Sequence, residues 1–141
     1  MAIFGVTKWC SRRSLLLVIT PLLLAGCDWR EADIQGSWSI ERLQADFLIL
    51  NNAFALNDDH TCFLPVVRFE DRHTTKETGT WRWFIKDKQQ YLEIITDSEE
   101  FAGVYKITGY RKYRDPESLG VLAEMTLESE RVRMECRKAL Y

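Results

Sequence analysis

The chain has 141 residues, with 19 Lys and Arg against 21 Asp and Glu, a formal net charge of −2. That length suits one domain around one modest core. A slightly acidic chain lacks the concentrated positive surface that phosphates require, so nucleic acid is excluded as an expected partner.

In chain order, the first segment is a leader. Lys8, Arg12 and Arg13 precede an apolar run from Leu15 to Leu23, broken only by Thr20 and Pro21, that finishes on Leu24-Ala25-Gly26-Cys27. A basic start, a short apolar middle and a small-residue finish make a secretory signal peptide. The run falls short of the roughly 20 apolar residues that a spanning helix needs. The L-A-G-C finish resembles the lipobox of bacterial lipoproteins. That resemblance implies that residues 1–26 are removed and that Cys27 becomes a diacylated first residue anchored in a bilayer. Asp28 resembles the retention signal of enterobacterial lipoproteins, which implies the periplasmic face of the inner membrane rather than the outer membrane. Ser11-Arg12-Arg13-Ser14-Leu15-Leu16 matches part of a twin-arginine signal. Paired arginines are common in secretion signals, and ordinary secretion is expected.

Without the leader 115 residues remain, and the loss of three basic residues leaves 16 against 21 acidic, a charge of −5. Residues 27–35 form a lipidated start and short polar spacer, and 36–141 the body. From there the pattern is period two, rich in aromatic and β-branched residues, with turn residues between. Strands are predicted over 36–43, 54–56, 61–69, 74–86, 91–96, 102–113, 119–127 and 131–140. Leu43, Phe47 and Leu50 have helical spacing, so 45–50 reads as either a strand or a helical turn. Asn57-Asp58-Asp59-His60, 87–90, 97–100, Asp115-Pro116-Glu117-Ser118 and 128–130 are the turns. This predicts an all-β fold, a small antiparallel up-and-down barrel of about eight strands, which removes exposed edges. Gly36-Ser37-Trp38 recurs as Gly79-Thr80-Trp81. The G-x-W start followed by a meander resembles bacterial lipocalin-like domains, in which the tryptophan plugs the barrel floor.

Cysteine usage follows from processing. Cys10 leaves with the leader and Cys27 is acylated, so Cys62 and Cys136 remain. An even pair in an oxidising compartment predicts one disulfide, with two buried thiols or a metal pair as alternatives. Asp58, Asp59, His60 and Cys62 are the nearest approach to a metal cluster, with His60 and Cys62 on one side of a strand; a solvated turn is the expected reading. His73 reads as exposed. No G-x-S-x-G or S-x-x-K motif is present, and Glu99-Glu100 reads as a solvated loop. No catalytic residue, metal or cofactor is expected.

Aromatic residues carry the remaining signal. Trp38, Trp81, Trp83 and Tyr105 either line a cavity for a small apolar ligand or fill the barrel. A body this short favours the filled interior. Arg111-Lys112-Tyr113-Arg114, Arg131, Arg133 and Arg137-Lys138 read as strand faces balanced by Glu117, Glu124, Glu128 and Glu135 rather than as a surface for anionic lipid. The expected function is non-catalytic: a membrane-anchored module that binds another envelope protein, as inhibitors and immunity proteins do. Lysozyme-inhibitor lipoproteins offer an architectural likeness, without their inhibitory motif. The alternative is a carrier or sensor of a small apolar ligand.

Overall fold

The computed structural model describes residues 30–68 and 77–140. The leader, Cys27, Asp28 and His73 lie outside the described residues. A single helical turn, α1 (Glu31–Ile34), occupies the end of the expected spacer. Among the described residues ten strands follow: β1 (Gly36–Gln44), β2 (Leu48–Ile49), β3 (Ala53–Leu56), β4 (Thr61–Phe63), β5 (Val67–Arg68), β6 (Thr78–Lys86), β7 (Gln89–Ile95), β8 (Gly103–Arg114), β9 (Val121–Glu128) and β10 (Arg133–Leu140).

Eight of them close an antiparallel barrel in the order β1-β10-β9-β8-β7-β6-β4-β3, while β2 and β5 form a separate two-stranded sheet. The barrel closes because β1 pairs with β10 on one side and β3 on the other. Two departures from the sequence reading have local causes. The ambiguous 45–50 segment contributes only the short β2. The expected strand 61–69 breaks after Phe63, because Pro65 has no N–H to give the ladder; pairing resumes in β5, outside the barrel.

Period-two alternation decides which side chains enter the barrel. Ala123, Met125 and Leu127 of β9, Met134 and Cys136 of β10, Leu92 and Ile94 of β7, and Tyr105 and Ile107 of β8 are all buried. A bulge in β8 then reverses the alternation. Thr108 pairs with Thr126 and Arg111 with Glu124, so three steps on β8 match two on β9. Gly109 sits inside that bulge at φ 62, a left-handed conformation that glycine adopts without a Cβ penalty. As a result Tyr105 points inward while Tyr113, also odd-numbered, lies outside and donates to Glu124 at 2.7 Å.

Because consecutive barrel strands run in opposite directions, the turns sort to two ends. The base gathers the lead-in Ile34–Gly36, the 57–60 turn, the Asp87-Lys88 hairpin, the 115–120 loop and the end of β10. The crown gathers residues 45–52, 64–68, 77, 96–102 and 129–132.

The 115–120 loop at the base is tightly built. Asp115 accepts from the backbone of Glu117 and Ser118 and from the Ser118 hydroxyl, and Leu119 N donates to Asp115 O. Leu119 is held at φ 61 while its side chain is 65% exposed. A left-handed backbone costs a branched residue about 1 kcal/mol or more, part of which glycine's greater chain entropy offsets. Leu119→Gly is therefore expected to raise stability by up to about 1 kcal/mol, a few degrees in Tm by circular dichroism.

Candidate binding surface

Trp38, Trp81 and Tyr105 lie inside the barrel, each at most 2% exposed, whereas Trp83 is half-buried. Every polar handle among them is satisfied by the protein. Trp38 Nε1 donates to Ile34 O at 2.8 Å and Trp81 Nε1 to Asn57 O at 3.0 Å. Trp83 Nε1 donates to Gln90 Oε1 at 2.9 Å, and the Tyr105 hydroxyl to Phe101 O at 2.8 Å. The two G-x-W tryptophans thus do one job twice, each reaching a backbone carbonyl at the base. Burial also raises the Tyr105 phenol strongly, so it stays neutral.

The crown is filled from the other side. Phe47 meets Phe101 edge to face at 5.2 Å, and Leu64, Val67 and Val132 are buried around them. Met125, Met134 and Leu92 are buried as well, and such large inward side chains suit the narrow interior of an eight-stranded barrel.

Lys138 corrects its sequence reading. The sequence pattern groups it with Arg137 in a basic strand face, but β10 alternation turns it inward, where it is 8% exposed. Its ammonium donates to Gln35 O and sits 4.7 Å from the Trp38 ring centroid. A cation over an indole face, with a carbonyl partner, offsets much of the burial cost.

The expected disulfide is not formed; Cys62 and Cys136 are both buried free thiols. Register gives the reason. Cys62 on β4 lies opposite Leu56, in one row with Gly36, whereas Cys136 on β10 lies opposite Ile40. Strands β3 and β1 stand between them, about 14 Å around the wall, and their rows differ by four residues, about 13 Å along it. Disulfides need Cα atoms within about 7 Å. Burial pushes the Cys62 thiol up to about 11 and raises Cys136 too. Both stay neutral in the fold, so stability is undiminished below the unfolded thiol value and falls as pH rises from about 9 toward 11. An aromatic disulfide reagent at pH 8 is expected to modify neither thiol in the folded body carrying Cys27→Ser, and both in denaturant; none in denaturant would mean a bridge.

His60 and Cys62 also part company. His60 occupies the turn at φ 67, exposed, with its ring 4.9 Å from Trp81, while Cys62 enters the core. Asp59 caps Thr61, and the Thr61 hydroxyl and amide hold its carboxyl below the usual range. Among the described residues no three His, Cys, Asp or Glu gather as a metal site.

The outer wall divides by chemistry. Across β1, β10, β9 and β8 runs an ionic lattice: Arg137 pairs with Glu41 at 2.8 Å and Glu124 at 3.2 Å, and Arg111 meets Glu124 at 2.8 Å. Arg42, Arg133, Glu128 and Glu135 extend it. The Tyr113 hydroxyl, then Arg111 and Arg137, hold the Glu124 carboxyl below its ordinary range. These exposed pairs add little stability, but they leave the arginines partnered, as the charge pattern predicted.

On the opposite wall the crown part of β3, β4 and β6 is uncharged. In register, Ala55 faces Phe63 and Phe63 faces Thr78, while Thr61 faces Thr80 and Thr80 faces Ile95. The Arg82–Glu93 pair bounds this field, and Val104 lies beside Glu93 on the next strand. Phe63 is 57% exposed and Ile95 54%, with Val104 also exposed. All three sit at the crown ends of their strands, and exposed Leu48 and Leu50 belong to the crown as well. Sequence reading passed over this field. Its signal is a set of apolar doublets, Cys62-Phe63, Ile94-Ile95 and Val104-Tyr105: alternation buries one member and must expose the other.

Compared with family models, curated proteins and solved structures, the chain matches none.

Proposed function

We propose that this protein is a membrane-anchored periplasmic lipoprotein that binds another envelope protein through the outside of its barrel. The observation that carries this reading is the set of exposed apolar side chains Phe63, Ile95 and Val104 at the crown of the outer wall, beside an interior lined with large buried side chains. Exposed apolar surface of that kind marks protein contact more often than chance packing. The field lies at the crown, away from the end where Ile34–Gly36 leads into β1. The anchor confines the binder to one surface and raises its effective concentration there. No catalytic role is proposed.

The test is photo-crosslinking in cells, with the crosslinking residue at Phe63 or Ile95 and, as control, at Arg111 in the ionic lattice. A discrete adduct from positions 63 and 95, absent from 111, supports the reading. No adduct from either, together with an extra mass of a few hundred daltons on the intact body in native mass spectrometry, would move the function to a small-ligand carrier.

A further inference from the structure

The base carries its own pair of exposed apolar side chains. Ile85, next to the Asp87-Lys88 hairpin, is 57% exposed, and Leu119 is 65% exposed on the loop that Asp115 braces. Both stand at the end where Ile34–Gly36 leads into β1. Leu119 is also held in a left-handed backbone, so the loop presents a leucine where glycine would be less strained. An observed outlier of this kind, on a rigid loop, is a reason to look for a contact.

The chain itself limits what that contact can be. Cys27 precedes Ile34 by seven residues, about 25 Å when fully extended. If Cys27 holds acyl chains in a bilayer, that reach bounds how far the base of the barrel can stand from the headgroups. We infer that Ile85 and Leu119 dip into the interface of the anchoring bilayer and set the barrel upright, base down and crown outward. This inference rests on the reading of Cys27 as lipidated.

The attraction is apolar rather than ionic. At the base Lys86, Lys88, Arg114 and the inward Lys138 are outnumbered by Asp58, Asp59, Asp87, Asp115 and Glu117. An anionic surface therefore gains nothing from the base as a whole, and the contact should withstand salt that screens headgroup charge. Acyl chains supply the hold, and the two side chains supply the orientation.

The experiment uses the full chain, processed in cells and reconstituted into vesicles of phosphatidylethanolamine and phosphatidylglycerol. Leu119→Cys, Ile85→Cys and Phe63→Cys are each labelled with an environment-sensitive fluorophore; the buried thiols of Cys62 and Cys136 do not compete. Mass spectrometry of the same samples reports acylation. The inference expects labels at 119 and 85 to be blue-shifted and quenched by a lipid-borne quencher, in low or high salt, while the label at 63 stays in water. An acylated, vesicle-bound protein with all three labels in water overturns the contact and leaves the anchor standing. A chain without acyl mass overturns the anchor and the contact with it.

Discussion

Trp38→Ala is expected to cost the barrel about 4 kcal/mol and to lower Tm by roughly 20 °C. The indole is 1% exposed, lies across from Phe54 in the ladder, and is among the largest side chains in the interior. Its removal has three consequences that act together. A void opens at the base, Ile34 O loses the N–H that satisfies it, and the Lys138 ammonium loses the ring on which it rests. Trp83→Ala is the control: Trp83 is half-buried and its Nε1 donates to the side chain of Gln90, so about 1 to 2 kcal/mol is expected. Thermal melts of the two variants decide the matter. A Trp38→Ala protein that melts within a few degrees of the parent would mean that the tryptophan borders a space rather than filling one.

Gly79→Ala is the second large effect, and its cause is backbone rather than side chain. A Cβ at this position would lie 2.5 Å from Ile95 O, 2.9 Å from Thr96 Cβ and 3.4 Å from Cys62 Sγ. The first contact cannot be relieved by a rotamer change, because Ile95 belongs to the β6–β7 ladder through its pairing with Thr80. Either β7 moves away, or the row from Leu56 through Cys62 to Gly79 is pushed out of register. A loss of about 3 kcal/mol or more is expected, read as a fall in the denaturant midpoint without a change in slope. Gly120→Ala, where the nearest atom is the Ser118 hydroxyl oxygen at 3.5 Å, should be close to neutral in the same assay.

These two positions belong to the repeated G-x-W, and that repeat was the most legible part of the fold. Alternation over 91–96 and 131–140 announced strands, and the turns at 57–60 and 115–118 announced themselves by composition. Long-range facts were less accessible. An even number of cysteines says nothing of register, and register keeps Cys62 and Cys136 apart. The reversal at Gly109 is invisible to a count by twos, which groups Tyr105 with Tyr113 although they face opposite sides. Lys138 reads as one more charge in a basic cluster until β1 brings Trp38 to it. The uncharged crown field escaped notice for a related reason: in a doublet such as Ile94-Ile95 both residues look like core, and only the ladder tells which one is left outside.

Closure of the barrel by β10 against β1 bears on how the chain folds. Ser39 finds its partner in Arg137 and Ile40 in Cys136, so the first strand of the barrel waits for the last. Most other ladders join neighbours in sequence and can form early. The seam pairs the most distant segments, and its formation should set the folding rate, because loop closure must precede any gain from long-range pairing. Until then β1 and β10 each present an open edge. A chain that stops short of β10 leaves β1 and β9 open permanently, and its expected fate is edge-to-edge aggregation rather than a smaller barrel.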